Sequence, residues 1–478
     1  MDVDAIDREG GRAVVILGLG RQGLALARFY AMQGMRVTVS DSRNAAALQA
    51  ELDELAGLNV TFVLGEHPLT LLDGCGLLCL SGGVSPDLPL VQEARRRSIR
   101  LSNDAQEFLV RCSAPVVGIT GSAGKTTTTS LVGQMLEASG IRSWVGGNIG
   151  NPLINELPAI QPEDRVVMEL SSFQLELMDA SPHIAGVLNI TPNHLDRHKT
   201  MDAYIAAKRA IVSHQAAEDI AVLGYDEANA RALRSATRAR VRYFSGEGPV
   251  SDGAYLEGDR LMLSGPSTGV VDVVGRQSIH LRGYHNVLNV LAAMALADAA
   301  GATVEGMRRA VETFWAVDHR LEEVRRHNGV LWINDSIATA PERVLAALEA
   351  FDEPLVLLAG GRDKDLPWER FAERVVERVR VLVLFGEAAP LIHDRVVQSW
   401  RAHGRAAERG REVCLEDVVM AKTLEQAVKD AALRARQGEV VLLSPGGTSF
   451  DAYRDFAERG VRFRELVQAL GQRNAVEG

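Results

Sequence analysis

The sequence predicts an α/β protein of three domains. Short apolar segments rich in β-branched residues end in glycine loops at 18–23 and 118–126, and each loop leads into a helical segment. In the last third of the chain, further strands alternate with helical segments. The chain has 478 residues, and at about 150 residues per domain this length gives three domains. We expect them at 1–111, 112–317 and 318–478.

Composition and charge limit the class of protein. The chain is 46% hydrophobic and 24% charged, as globular proteins are, and its formal net charge is -10. This charge disfavours nucleic-acid binding, so we expect small anionic ligands. The acidic start is unlike a signal peptide, and no apolar run reaches the ~18 residues of a membrane span. We therefore expect a cytoplasmic protein, a monomer with no membrane partner, whose four cysteines are buried free thiols.

The first glycine loop reads Gly18-Leu-Gly-Arg-Gln-Gly23 between a strand and a helical segment, which is typical of a Rossmann-like domain. A second strand ends at Asp41, about twenty residues further on, where a dinucleotide-binding domain places a ribose-binding acid. We favour another nucleotide diphosphate as the ligand, with a dinucleotide or a purely structural turn as alternatives. The residues that we expect to bind this substrate are Gly20, Arg21, Gln22, Asp41, Ser42 and Ser81.

The strongest motif is the phosphate loop Thr120-Gly-Ser-Ala-Gly-Lys-Thr-Thr127, which predicts a P-loop mononucleotide-binding domain in the centre. Its glycines allow backbone N–H groups to face an anion, while Lys125 adds a charge for the phosphates and Thr126 a hydroxyl for Mg²⁺. Ile119 occupies the first glycine position of the general pattern, and a glycine-rich turn into a helix is the alternative. We assign Gly121, Ser122, Ala123, Gly124, Lys125, Thr126 and Thr127 to the binding of a nucleoside triphosphate.

Candidate metal ligands follow the next strands. Glu169 ends an apolar run at the same sheet edge as the phosphate loop, where a Mg²⁺ ligand is needed; a helix-capping or solvated glutamate is the alternative. The segment His194-Leu-Asp-Arg-His198 indicates either a second metal site or a solvated loop. Lys208, on the next helical segment, indicates by itself only a surface charge. In the last third, strands at 330–334 and 440–443 belong to a C-terminal Rossmann-like domain.

Taken together, these motifs resemble the Mur ligase family of peptidoglycan synthesis, which couples ATP cleavage to amide formation. The resemblance rests on Glu169-Leu-Ser-Ser-Phe-Gln-Leu-Glu176, on residues 188–198 and on Tyr204-Ile-Ala-Ala-Lys208. It extends in the same order from the first glycine loop to Gly460. Within the family it is closest to the ligases that add D-glutamate to UDP-N-acetylmuramoyl-L-alanine, with ADP and phosphate as the other products.

The resemblance implies roles for individual residues. The family carbamylates the lysine that matches Lys208, which turns the amine into a carboxylate able to bind Mg²⁺. Two Mg²⁺ ions are then held by Thr126, Glu169, His194 and Lys208, and the catalytic residues become Lys125, Glu169, His194, Lys208 and Lys364. Further ATP contacts are Asn286, Asn289, Arg320 and Asp335; Asn286 is alternatively a helix N-cap. Asn148 contacts the muramoyl-alanine substrate, and Thr339, Lys364, Ser449, Phe450 and Phe456 face glutamate.

Three departures from the commoner family form surround the predicted amino-acid pocket. Ile337 stands in place of a lysine, Ala340 in place of an asparagine, and Gly446-Gly447-Thr448 in place of Ala-Cys-Ala. These departures leave the handedness of the glutamate open, so an L-glutamate-adding ligase is an alternative. A folylpolyglutamate synthetase-like ligase fits less well, because a folate needs no diphosphate site. A non-catalytic nucleotide-binding regulator and a dehydrogenase are rivals from other classes.

Overall fold

A computed structural model describes residues 13–193, 195–266, 269–281, 283–315, 319–363, 366–407 and 413–471, with the backbone alone at 195, 196 and 403–407. The chain divides into two compact units. The first comprises the described residues of Met1–His280 and Tyr284–Phe314, and the second those of Leu281–Gly283 and Trp315–Gly478. Two β-sheets lie in the first unit and one in the second.

The first sheet and its helices confirm the predicted Rossmann-like pattern. In chain order the elements are β1 (Ala13–Leu17), α1 (Arg21–Met32), β2 (Val37–Asp41), α2 (Gln49–Glu54), β3 (Val60–Leu64), β4 (Cys75–Leu80), α3 (Pro89–Arg96), β5 (Arg100–Ser102) and α4 (Asp104–Leu109). The five strands are parallel, in the order β3-β2-β1-β4-β5. The first glycine loop, residues 18–23, therefore opens at the carboxyl end of β1 in the middle of the sheet, where α/β sheets bind ligands.

The second sheet carries the phosphate loop. Its elements are β6 (Val116–Thr120), α5 (Lys125–Ala138), β7 (Ser143–Gly147), β8 (Arg165–Glu169), α6 (Ser172–Leu175), β9 (Ile184–Val187), α7 (Leu195–His198), α8 (Met201–Ser213), β10 (Ile220–Gly224), α9 (Ala228–Ala232), β11 (Arg240–Ser245), β12 (Gly253–Glu257), β13 (Arg260–Gly265), β14 (Gly269–Gly275), α10 (Tyr284–Ala299) and α11 (Val304–Thr313). The strand order is β14-β13-β12-β11-β10-β9-β6-β8-β7. Antiparallel β12 to β14 form one edge of this sheet.

The third sheet makes up the second unit with its helices. The elements are β15 (Glu322–His327), β16 (Val330–Asn334), α12 (Pro341–Leu348), β17 (Leu355–Gly360), α13 (Glu369–Arg378), β18 (Val379–Phe385), α14 (Ala389–Ala407), β19 (Asp417–Met420), α15 (Leu424–Arg434), β20 (Val440–Gly446) and α16 (Phe456–Gln468). The order is β15-β16-β20-β17-β18-β19, and only β15 is antiparallel to its neighbour among these strands. The predicted strands at 330–334 and 440–443 are confirmed as β16 and β20.

One buried cluster joins the first two sheets. Ile16 of β1 and Phe108 of α4 belong to the same apolar cluster as Met168 of β8, Leu175 of α6 and Leu153, which precedes β8. This shared core explains why both sheets lie in one unit.

Two sequence-based expectations concern single residues and spans. Cys75, Cys79, Cys112 and Cys414 are free thiols, as predicted, although only Cys79 is fully buried. None of the described helices combines the length and the apolar composition that a membrane span requires.

Candidate active site

The phosphate loop connects β6 to the first turn of α5, and its backbone requires glycine. Gly124 adopts a left-handed backbone conformation with φ of 84°, which residues other than glycine rarely adopt. A Cβ atom there would lie 2.2 Å from Asn289 Oδ1. Asn289 donates in turn to Asn286 Oδ1 at 2.9 Å. The N-cap alternative for Asn286 is wrong, because α10 begins at Tyr284 and Asn286 lies inside its first turn.

Asn189 holds the phosphate loop from the end of the neighbouring strand, and sequence reasoning missed it. The Ala123 amide donates to Asn189 Oδ1 at 2.9 Å, and Asn189 Nδ2 donates back to the Ala123 carbonyl at 3.2 Å. The Ser122 amide donates to the Asn189 carbonyl at 2.9 Å. The Ser122 hydroxyl also pairs with the Tyr204 hydroxyl at 3.0 Å. The available signal was the polar residue directly after an apolar strand, beside the loop it contacts.

Glu169 joins the phosphate loop to the loop that contains Asn148. Glu169 is 2% exposed at the end of β8. Its Oε2 atom accepts from the Thr126 hydroxyl at 2.8 Å, and its Oε1 atom accepts from Asn148 Nδ2 at 2.8 Å. The alternatives for Glu169 are wrong: Ser171 caps the following helix, and the carboxylate is buried. Two predicted Mg²⁺ ligands are thus in direct contact.

Lys208 is buried beside the phosphate loop rather than on the surface. It is 1% exposed, and its Nζ atom donates to Thr120 Oγ1 at 3.1 Å and to the Gly121 carbonyl at 3.0 Å. Lys125 Nζ donates to the same carbonyl at 2.9 Å. Burial, together with the charge of Lys125, lowers the pKa of Lys208 well below its ordinary value, while Glu169 acts in the opposite direction. The solvated reading of Lys208 is therefore wrong.

The structure describes one of the two histidines in the segment 194–198. His194 lies outside the described residues. His198 is buried, its Nε2 atom lies 2.9 Å from Ser172 Oγ, and its ring stacks on Phe173 at a centroid distance of 5.4 Å. His198 thus has a packing role and does not support the predicted pair of metal-binding histidines. Within the described ranges, no group of three or more His, Cys, Asp or Glu side chains has the arrangement of a metal site.

A cleft of about 240 Å³ brings together substrate residues predicted from distant parts of the sequence. It is lined by Arg21, Gln22, Ser81, Gly82, Gly83, Asn148, Ser171 and Phe173. Arg21 Nη1 donates to the Gly150 carbonyl at 2.7 Å, and the Gly82 amide donates to Gln22 Oε1 at 2.8 Å. The first glycine loop therefore opens directly toward the loop of the second sheet that carries Asn148.

Asp41 shapes the first glycine loop from within. Its Oδ2 atom accepts from the Leu19 amide at 2.7 Å and from Arg43 Nη2 at 2.9 Å, and its Oδ1 atom accepts from the Arg43 amide at 2.8 Å. Burial alone would raise the pKa of Asp41, but these hydrogen bonds outweigh it and lower the pKa to about 2. Gly20 directly precedes α1, and Ser42 is exposed beside Asp41.

In the second unit, Asp335 follows β16 and is buried. Its Oδ2 atom accepts from the Ser444 hydroxyl at 2.8 Å, and its Oδ1 atom accepts from the Leu321 amide at 3.3 Å. Burial raises the pKa of Asp335 to about 7, although the Ser444 hydroxyl and the charge of Arg320 act in the opposite direction. Arg320 and Asp335, both predicted to contact ATP, are therefore near each other.

Several of the residues predicted to bind the substrate glutamate lie on or beside two loops at the carboxyl ends of β16 and β20. The Gly446 amide donates to the Ala338 carbonyl at 2.8 Å, which places residues 336–340 beside 446–449. Thr339 is on the first loop, and Ser449, 2% exposed, is on the second. Phe450 is 60% exposed, and the Phe456 carbonyl accepts from the Ser336 hydroxyl at 2.7 Å. Lys364 lies outside the described residues.

Arg459 holds these two loops together, and sequence reasoning missed it. It is fully buried; Nε donates to the Ser336 hydroxyl at 3.0 Å, and Nη1 donates to the Gly447 carbonyl at 3.2 Å. Burial lowers the pKa of Arg459 to about 10. The sequence around Arg459 has the pattern of a polar helix face, and it gave no signal that this arginine is buried.

Models of three known protein domains match the chain in the order of its three sheets. Three family models match: the Mur ligase MurD-like N-terminal domain at residues 12–102, the Mur ligase middle domain at 119–297 and the Mur ligase glutamate ligase domain at 319–447. A UDP-N-acetylmuramoylalanine--D-glutamate ligase of Symbiobacterium thermophilum is 43% identical over 463 residues, which cover 96% of this chain and 98% of that protein. The chain belongs to the Mur ligase family. The predicted three-domain α/β fold is confirmed, while the boundaries at 111 and 317 stay predictions.

Other Mur ligases are similar over nearly the whole length. The UDP-N-acetylmuramoylalanine--D-glutamate ligase of Acetivibrio thermocellus is 37% identical, over 96% of this chain and 97% of that protein. Among solved structures, the UDP-N-acetylmuramate-alanine ligase MurC of Thermotoga maritima has a TM-score of 0.58 at 20% identity, over 96% of this chain and 99% of that one. MurF of Acinetobacter baumannii has a TM-score of 0.57 at 17% identity, over 95% of this chain and 93% of that one. At these identities the structural likeness supports the fold alone.

Proposed function

We propose that this Mur ligase joins D-glutamate to UDP-N-acetylmuramoyl-L-alanine and cleaves ATP to ADP and phosphate. The position of Asn148 is the geometric observation that carries the proposal. The same side chain lines the substrate cleft and donates to Glu169, whose other carboxylate oxygen accepts from Thr126 at the phosphate loop. A carboxylate at the end of a substrate bound in this cleft would thus lie beside the phosphates of ATP. A nucleotide-binding regulator has no need for this connection.

The residues beside the phosphate loop fit Mg²⁺. The Thr126 hydroxyl and the Glu169 carboxylate are oxygen ligands of the kind that Mg²⁺ prefers, and they already meet at 2.8 Å. When bound, Mg²⁺ would offset negative charge on the phosphate oxygens. We propose Thr126 and Glu169 as ligands of one ion, and His194 with modified Lys208 as ligands of a second.

We propose that Lys208 carries a carbamate. The neutral amine is the form that attacks CO₂; an N–C bond forms, one proton leaves, and the product ends in a carboxylate. Burial of the amine and the nearby charge of Lys125 favour the neutral form. The carbamate would place an anion where an unmodified ammonium group would repel a metal ion.

In the proposed reaction, a carboxylate oxygen of UDP-N-acetylmuramoyl-L-alanine attacks the γ-phosphorus of ATP. The bond between that phosphorus and the bridging oxygen breaks, ADP leaves, and an acyl phosphate forms. The glutamate amine then attacks the acyl carbon, phosphate leaves, and the nitrogen loses a proton. Lys125 and the backbone N–H groups of the phosphate loop offset the charge on the transferred phosphoryl group.

The remaining predicted residues divide between nucleotide and acceptor. We propose that the nucleotide contacts include Asn286, Asn289, Arg320 and Asp335, and that the glutamate contacts are Thr339, Lys364, Ser449, Phe450 and Phe456. The diphosphate-linked substrate would contact Gly20, Arg21, Gln22, Ser42 and Ser81, with Asp41 supporting the loop. Because ATP and UDP-linked precursors are cytoplasmic metabolites, we also propose that the enzyme acts in the cytoplasm, with every site residue supplied by one chain.

Phosphate release from ATP tests the proposal. The purified enzyme is assayed with UDP-N-acetylmuramoyl-L-alanine and either D-glutamate or L-glutamate, and with either substrate omitted. We expect release only when both substrates are present, and faster release with D-glutamate. Faster release with L-glutamate would show that the departures at Ile337, Ala340, Gly446 and Gly447 change the handedness of the acceptor. Absence of substrate-dependent release would overturn the ligase assignment.

A further inference from the structure

Arg343 is a cation at the mouth of the two loops that we assign to the acceptor. It lies in the first turn of α12, directly after residues 336–340, and its side chain is exposed. Its Nη1 atom donates to the Ile337 carbonyl at 3.1 Å. The guanidinium group is also close enough for its charge to act on the Asp335 carboxyl. Arg343 thus stands over the loop that carries Thr339.

A second arginine whose side chain contacts these loops, Arg459, has its guanidinium engaged by the protein. Arg459 is buried, and its Nε, Nη1 and Nη2 atoms donate to Ser336 and to the Gly447 carbonyl. Arg343 differs, because its described contact uses a single nitrogen of a group with five N–H donors. The guanidinium of Arg343 can therefore donate two hydrogen bonds to a carboxylate without breaking a contact that holds the loops.

The position of Arg343 does not serve the helix itself. The N-terminus of a helix carries a partial positive charge, so a cation in the first turn is unfavourable there. Ala340 precedes the helix and supplies no side-chain cap, so Glu342 is the acidic side chain that offsets the partial positive charge of this turn. The Arg343 guanidinium adds a further positive charge to this turn, and a ligand carboxylate beside it would offset that charge. Ile337, the apolar residue whose carbonyl Arg343 contacts, brings no charge of its own.

We propose that Arg343 binds a carboxylate group of the amino-acid acceptor and so supplies the cation that Ile337 does not. The proposal rests on the proposed function, because it takes the acceptor to be an amino acid with two carboxylates. Arg343 acts in binding and specificity rather than in the chemical steps. It places the acceptor between the loops of β16 and β20, within reach of Thr339 and Ser449.

Steady-state kinetics with D-glutamate as the varied substrate test this assignment. A charge-assisted contact contributes enough to change affinity roughly 10- to 100-fold, and exposure favours the lower end of that range. We expect Arg343→Ala to raise the KM for D-glutamate about tenfold, with kcat and the KM for ATP within about twofold of wild type. Arg343→Gln retains an N–H donor for the Ile337 carbonyl without the charge, and we expect the same rise.

Two further variants separate binding from structure. Ile337→Lys in the Arg343→Ala background places a cation at position 337 of the same loop. We expect it to lower the KM for D-glutamate most of the way back to the wild-type value. Arg436→Ala is the control. Like Arg343, Arg436 is exposed, but it pairs with Glu416 and precedes β20, so it lies at the opposite end of the sheet from the two loops. This variant should match wild type.

Each outcome decides between defined possibilities. An unchanged KM for D-glutamate in both Arg343 variants, or a rise in the KM for ATP instead, would overturn the inference while the ligase assignment stands. A normal KM in Arg343→Gln alone would show that the hydrogen bond, not the charge, matters, and would also overturn it. A wild-type enzyme without acceptor-dependent phosphate release would overturn the proposed function and this inference together.

Discussion

Replacement of Lys208 tests the centre of the proposed site. Lys208 is 1% exposed and donates only to oxygen atoms of Thr120 and Gly121 among its described hydrogen bonds. We expect Lys208→Ala to lose nearly all phosphate release, because the proposed carbamate can no longer form. The loss of one preorganised electrostatic group typically lowers kcat about 10²- to 10³-fold. The alanine leaves space at the same position for a small carboxylate, so added acetate should restore part of the activity.

The physical basis is the protonation state of the amine. An ordinary lysine has a pKa of about 10.4, so roughly 0.1% of its molecules are neutral at pH 7.5. Each unit by which the pKa falls raises that neutral fraction about tenfold. The pKa of Lys208 is lowered by burial first and by Lys125 second, so its amine should react with CO₂ far more readily than an exposed lysine. At a fixed CO₂ pressure, occupancy of the carbamate should rise with pH, because the reaction consumes the neutral amine.

Two measurements check this account. Phosphate release is compared for wild type, Lys208→Ala and the exposed-lysine control Lys422→Ala, each with and without acetate. Carbon-13 NMR after equilibration with labelled bicarbonate should show one carbamate signal in wild type and in the control, and none in Lys208→Ala. Full activity of Lys208→Ala in CO₂-depleted buffer would refute the reasoning. So would an active wild-type enzyme without a carbamate signal.

Two other predictions concern the phosphate loop and Asp335. Lys125→Ala should abolish phosphate release, because the phosphates lose the lysine charge of this loop; near-normal turnover would remove the loop from the mechanism. The folded-state pKa of Asp335 is about 7, above its unfolded value of about 3.9, so the folded protein binds the extra proton between these pH values. The contribution of Asp335 to the free energy of unfolding should therefore fall as pH rises through this window, by at most about 1.4 kcal/mol per pH unit, and be lowest above about pH 7. Thermal unfolding of Asp335→Asn should lack this contribution, and an identical pH dependence in both proteins would contradict it.

Much of the fold and the nucleotide chemistry could be predicted from the sequence, because both depend on local patterns. Alternation of apolar strands and helical segments predicts the α/β class, since hydrophobic periodicity is a property of neighbouring residues. The phosphate loop is likewise a contiguous motif, and its glycine at 124 has the left-handed backbone that the pattern requires. The resemblance to Mur ligases rests on several such motifs in fixed order, and the family assignment confirms it.

The contacts of the site were decided only by the tertiary structure. Thr126 and Glu169 are 43 residues apart and meet because β6 and β8 are neighbours in the sheet. The burial of Lys208 also depends on distant residues packed around it, so its local sequence wrongly suggests a surface charge. His198 shows the converse, since a motif that suggests a metal ligand is used for packing against Phe173.

The same distinction applies to Arg459 and Arg343. In the sequence, both are arginines in helical segments with polar neighbours. The structure buries Arg459 between two strand-end loops and leaves Arg343 exposed above one of them. The sequence alone determined which side chains carry charge, while the packing of β16 against β20 decided which charge is buried in contact with the protein and which is left exposed. Burial sets the energy of a charge, and burial is a property of the whole fold.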